Sequence, residues 1–62
     1  MNKDIVEGNW KVAKGKIKAQ FGKLTDQELD EIEGDYEQLC GRIQKAYGLT
    51  REQVEYDIAR LS

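Results

Sequence analysis

Apolar side chains recur along this chain with the spacing of a helix. Val6, Trp10, Ala13, Ile17 and Phe21 follow one another at intervals of 4, 3, 4 and 4. Leu29, Ile32, Tyr36, Leu39, Ile43 and Tyr47 continue at 3, 4, 3, 4 and 4, and Val54, Ile58 and Leu61 make a last stripe. At 3.6 residues per turn each set lines one side of a helix. The stripes predict helices over about 4–21, 26–33, 35–47 and 51–61, with the stripe residues as the core.

Stops and starts stand between the stripes. Gly22 and Gly48 each follow an aromatic that closes a stripe, where glycine's access to the left-handed conformation ends a helix. Thr25 and Thr50 then open "TDQE" and "TREQ", both patterned as capping boxes in which the N3 side chain reaches back to the cap. Gly34 is ambiguous, because the stripe passes through it without changing phase. One long helix over 26–47 and a break with Asp35 as N-cap and Gln38 at N3 both fit; the break is the favoured reading.

The chain also repeats itself. A shift of 26 residues lays "EGNWKVAKGKIKAQFG" on "EGDYEQLCGRIQKAYG". Glu7, Gly8, Gly15, Ile17 and Gly22 fall on Glu33, Gly34, Gly41, Ile43 and Gly48; Trp10 meets Tyr36, Lys16 meets Arg42 and Phe21 meets Tyr47. Omitting Lys23 carries the register on through Leu24-Thr25 and Leu49-Thr50. The period is that of a supersecondary unit. The expected architecture is all-α, a small bundle of two tandem helical hairpins within a single domain over 1–62, with repeat units of about 7–32 and 33–58.

Glycine inside a helix costs about 1 kcal/mol relative to alanine, so Gly8, Gly15, Gly34 and Gly41 ask for a reason. On the first helix Gly8 and Gly15 lie with Ile5, Val12 and Ala19, on the side away from Trp10 and Ile17. This second face is small and flat, suited to close approach by another helix. Internal close packing is the first expectation for the four glycines and a partner surface the second.

The elements "MNKD", "GNWK", "KGKIK", "FGKLTD", "IEGDYEQL" and "GRIQKAYG" together resemble the CsbD-like family of small bacterial general stress proteins, over nearly the whole chain. The resemblance implies two helical hairpins packed at a steep angle, similar to a duplicated helix-hairpin-helix, and a role in the stress response without an assigned biochemical activity. It supplies no catalytic residues to carry over. Cys40, in an otherwise apolar segment, departs modestly from the family.

Composition narrows the chemistry. With one cysteine and no histidine, neither an internal disulfide, nor a Cys-His nucleophile, nor the usual zinc ligand sets can be assembled by one copy. No nucleophile–base pair or cofactor loop is present, so the expectation is a non-enzymatic protein with no cofactor or metal. The opening "MNKDIVEGNW" lacks the apolar run of a signal peptide, and no stretch approaches a membrane span of roughly 20 apolar residues. A cytoplasmic protein without membrane contact is expected.

Charge is segregated. Residues 1–24 carry six lysines against Asp4 and Glu7, whereas 25–62 carry four basic and ten acidic residues; the whole is −2. Lys11, Lys14 and Lys18 share a helical face, and an acidic run extends from Asp26 to Glu37. The simpler reading is mutual attraction across the fold. The sharper one is phosphate binding by Lys11, Lys14, Lys16, Lys18 and Lys23, with backbone N–H groups of the hairpin turns assisting. A sequence pI of about 5.0 weighs against it. The acidic run lacks the ligand pattern of a Ca²⁺ loop and reads as a solvated face. Cys40, beside Leu39 at the edge of the stripe, reads as a half-buried structural thiol, and the register of Trp10, Phe21, Tyr36 and Tyr47 assigns them to the core in place of base stacking. An interaction module acting on another protein or by self-association is the first functional expectation, and weak nucleic-acid association the second.

Overall fold

The computed structural model describes residues 1–61, which form five helices: α1 (Lys3–Gly8), α2 (Trp10–Gln20), α3 (Asp26–Ile32), α4 (Tyr36–Tyr47) and α5 (Arg51–Ala59). Their starts follow the local chemistry. Asn2 Oδ1 accepts from Ile5 N at 3.0 Å, and Thr25 with Glu28 completes a capping box. Thr50 Oγ1 accepts from Gln53 N at 3.1 Å, but the Gln53 amide donates to Asp57 at 2.9 Å and leaves that box half made.

At Gly34 the chain breaks. Glu33 and Gly34 take positive φ of 37° and 85°, and Asp35 caps α4 by accepting from Gln38 N at 3.2 Å and from the Gln38 amide at 3.0 Å. Two left-handed residues in succession cannot continue a helix. A Cβ at Gly34 would also stand 3.4 Å from the Val6 carbonyl oxygen and 3.8 Å from Trp10 Cβ. Here glycine does permit a close approach, between the α3–α4 corner and the end of α1.

The expected first helix divides in two. Asn9 (φ −142°, ψ 64°) closes α1 by donating to the Ile5 carbonyl at 2.8 Å, and its own carbonyl opens α2 by accepting from Ala13 N at 3.1 Å. Gly8 and Asn9 are both poor helix formers, so the interruption costs little. Gly22 is likewise not the left-handed stop expected of it: α2 ends through Phe21 (φ −117°, ψ 71°), whereas Gly48 at φ 67° ends α4 as its position predicts. The first turn is longer than the second by Lys23 and leaves the helix differently.

The three other glycines overturn the internal-packing expectation. Gly8, Gly15 and Gly41 are exposed, and a Cβ on any of them would meet nothing within 4 Å.

α4 is the hub, with α1, α3 and α5 packed on it and α1 also on α2. Stripe residues such as Val6, Ile17, Leu29, Leu39, Ile43 and Val54 are fully buried, with Trp10, Tyr47 and Leu61 partly buried against them. Leu24, from the first turn, and Cys40 join the core at 0% exposure, so the thiol lies deeper than its place at the stripe's edge suggested. Phe21 and Tyr47, equated by the internal repeat, meet edge to face with ring centroids 5.6 Å apart.

Candidate functional site

The lysine-rich α2 and the acidic α3 lie side by side. Lys14 Nζ reaches Asp30 Oδ1 at 2.6 Å; Lys18 Nζ lies 3.6 Å from Asp26 Oδ1 and donates to the Leu24 carbonyl at 2.9 Å. On the other flank of α3, Arg42 of α4 reaches Glu28 at 3.4 Å and Glu31 at 3.7 Å. The acids of α3 are therefore held between Lys14 and Lys18 of α2 and Arg42 of α4. The hydrogen bond to Asp30 holds the Lys14 ammonium above its ordinary range, and the Thr25 backbone N–H followed by Arg42 holds the Glu28 carboxyl below its own. Attraction across the fold, the simpler reading of the charge segregation, is what these contacts are.

The five lysines considered for phosphate binding do not converge. Lys14 and Lys18 are engaged with α3. Lys16 projects from α2 about 140° round from Lys11, and neither has an ion pair among the described residues. Lys23 Nζ lies 4.8 Å from the Tyr47 ring centroid, and its backbone N donates to Tyr47 Oη at 3.0 Å. Two more of the turn's N–H groups are also used: Leu24 N donates to Phe21 O at 3.1 Å and Thr25 N to Glu28 Oε1 at 3.3 Å. A phosphate at this turn would compete with bonds the protein already makes.

A second cluster stands where α5 begins. Arg51 grips Glu37 through both carboxylate oxygens at 2.9 and 3.0 Å, approaches Glu55 at 3.4 Å, and lies 5.7 Å from the centre of the Tyr36 ring. The 48–50 connection thus carries the start of α5 back along α4 to its first turn. The Arg51 hydrogen bond keeps the Glu37 carboxyl below its usual range. Burial pushes the Tyr36 hydroxyl up to about 12 and raises the Cys40 thiol beside it. A buried, protonated thiol is a poor nucleophile. This cluster escaped the sequence reading, although a signal existed: in the repeat Glu37 replaces Lys11, and Arg51 replaces Asp26 as the first residue after the capping threonine, so both signs reverse.

Among the described residues, no three acidic or cysteine side chains gather as a metal site, and no helix is long and apolar enough to cross a membrane. Trp10 Nε1 is buried without a hydrogen-bond partner. The large hydrophobic side chains exposed to solvent are Ile5 at 38%, Val12 at 46% and Tyr56 at 58%. Ile5 and Gly8 are exposed on α1; Val12, Gly15 and Ala19 share an exposed face of α2 bordered by Lys11 and Lys16; Tyr56 is exposed on α5.

A five-helix fold built on one apolar core and rimmed by ion pairs, with its hydroxyl and thiol groups of raised pKa buried, defines a small helical protein whose distinctive chemistry lies on its surface. The family model described as CsbD-like matches residues 4–56, and the chain belongs to that family, which is associated with the general stress response. It is 55% identical over 58 residues to the UPF0337 protein ECA0631 of Pectobacterium atrosepticum, covering 94% of this chain and 84% of that one. It is 52% identical over 58 residues to the UPF0337 protein YjbJ of Escherichia coli (strain K12), with the same coverage. The UPF0337 protein pc0632 of Protochlamydia amoebophila is 53% identical over 55 residues, 89% of this chain and 83% of that one. These names state no activity. No solved structure matches the chain.

Proposed function

We propose that this protein is a non-enzymatic interaction module of the stress response, working in the cytoplasm by contact with another protein or with itself. The observation that carries the reading is the exposed face of α2, where Val12 stays in solvent beside Lys11 and Lys16, both free of ion pairs among the described residues. Lys14, Lys18, Arg42 and Arg51 are by contrast engaged with carboxylates within the fold, and the cysteine is buried. An apolar strip bordered by unspent charge suits a contact surface better than a reaction site. Nucleic-acid association through Lys11 and Lys16 is the second reading, favoured by their freedom and opposed by the commitment of Lys14, Lys18 and the turn N–H groups of Lys23, Leu24 and Thr25.

Affinity capture from stressed cells tests the choice, with V12E as the control. A protein retained by the unaltered chain and lost with V12E supports the module. Nucleic acid retained in a salt-sensitive manner, indifferent to V12E, would favour the second reading.

A further inference from the structure

The exposed hydrophobic groups fall into two sets of opposite surroundings. Val12, with Gly15 and Ala19 one turn and two turns on, forms an outward face of α2 bordered by Lys11 and Lys16. Since a Cβ at Gly15 would meet nothing within 4 Å, the backbone there is open to a flat group. Tyr56 stands on α5 with Glu52 one turn before it and Glu55 beside it. Glu52 has no ion pair among the described residues, and Arg60, 5.6 Å from the ring centre, still leaves Tyr56 58% exposed.

We infer that the partner seated on the α2 face is a second copy of this chain: Tyr56 of one copy lies over Gly15 between Val12 and Ala19 of the other, with Glu52 opposite Lys16. The inference rests on the interaction-module reading and narrows it. Charge favours this pairing over that of two α2 faces, which would set lysines against lysines; α5 on α2 brings the unpaired Glu52 to the unpaired Lys16, while Glu55 is held by Arg51 and Arg60 lies one turn beyond Tyr56 on the side away from Glu52. Size agrees, because tyrosine is the large, rigid, amphipathic group that suits a flat backbone surface. A membrane is a poorer occupant, since the α2 face offers no Trp, Phe or Leu to anchor in lipid. One ring on one helix face covers far less than the ~1,200 Å² of a standard interface, so the association should be reversible, dependent on concentration and weakened by salt.

The test uses the full chain and its variants K16E, E52K, Y56A and K16E/E52K. Lys16, Glu52 and the Tyr56 ring make no ion pair or hydrogen bond in the fold, and thermal melts check that each variant retains it. Sedimentation equilibrium up to millimolar protein should show average mass rising with concentration. Y56A and each single charge reversal should weaken association about tenfold, while K16E/E52K, with both signs exchanged, should recover most of it. Amide shifts on dilution of labelled protein should concentrate at residues 11–19 and 50–60. A monomer at every concentration, shifts elsewhere, or a double variant no better than the singles would overturn the pairing. If the chain is monomeric yet V12E still loses a captured protein, self-association falls and the interaction-module reading stands.

Discussion

The open glycines give a sharp test of the packing. Gly15 and Gly41 lie inside α2 and α4, exposed, with no atom of the chain within 4 Å of where a Cβ would stand. Alanine at either site should therefore stabilise, by about 0.5–1 kcal/mol each, through helix propensity and the smaller entropy of the unfolded chain. The sites lie on separate helices, so the double variant G15A/G41A should gain about 1–2 kcal/mol. For a domain of this size that is a rise in Tm of roughly 4–16 °C. Gly34→Ala should move the other way, because φ of 85° disfavours any Cβ and the Val6 carbonyl oxygen stands 3.4 Å from it. A loss of about 1–2 kcal/mol is expected there. Thermal melts by circular dichroism at low protein concentration, where association does not contribute, decide the matter. Destabilisation by G15A or G41A would mean that those backbones are approached within the fold after all, and a harmless Gly34→Ala would remove the reason given for the α3–α4 break.

pH should limit stability at both ends. The Glu28 and Glu37 carboxyls are depressed in the fold, so their contribution is present above the ordinary carboxylate range near 4.5 and is lost as pH falls through their folded values. Arg51→Met should flatten the Glu37 part of this acid limb in melts recorded across pH 2–7. Lys14 is raised above 10.5 and Tyr36 to about 12, so stability should fall again as pH climbs past 10, where the unfolded chain gives up those protons more readily than the fold. An acid limb unchanged in Arg51→Met would mean that the Glu37 contact adds nothing. Cys40, with 0% exposure and a raised thiol pKa, should react with a disulfide reagent only as fast as the protein opens, and immediately in denaturant. Rapid labelling of native protein would contradict its burial.

Much of this fold was legible because its signals are local. The Asp35 and Thr25 caps act through atoms three residues apart, and the buried stripe positions follow from helical spacing alone. The break at Asn9 left no such mark. Val6 and Trp10 keep their four-residue spacing across it, and the propensity difference that permits it is under about 1 kcal/mol per residue. Leu24 was unreadable for another reason: a turn residue has no periodicity, and its burial comes from the helices the turn joins. For the candidate site, sequence placed Lys11, Lys14 and Lys18 on one face but could not say which were already spent. That depended on α3 lying alongside, which settles Lys14 and Lys18 and leaves Lys11 unpaired. The Arg51–Glu37 contact spans fourteen residues and needs the 48–50 connection to run back along α4.

The duplication explains which groups remain unspent. Arg42 and Lys16 hold equivalent places in the two copies, and Arg42 is occupied by Glu28 and Glu31 of α3. Counted from the two capping threonines, the residues in α5 that correspond to Glu28 and Glu31 are Gln53 and Tyr56. At those two places α3 carries carboxylates, and α5 carries an amide and an aromatic ring. Neither can neutralise Lys16, and the ring does not sink into the core, which α5 already fills with Val54 and Ile58. The free lysine and the exposed tyrosine thus stand at positions whose counterparts, Arg42 and Glu31, pair with each other. Y56E should accordingly abolish self-association through Tyr56 and, because that side chain is 58% exposed and makes no hydrogen bond among the described residues, leave the fold about as stable. Loss of stability together with association would instead show that Tyr56 serves the fold.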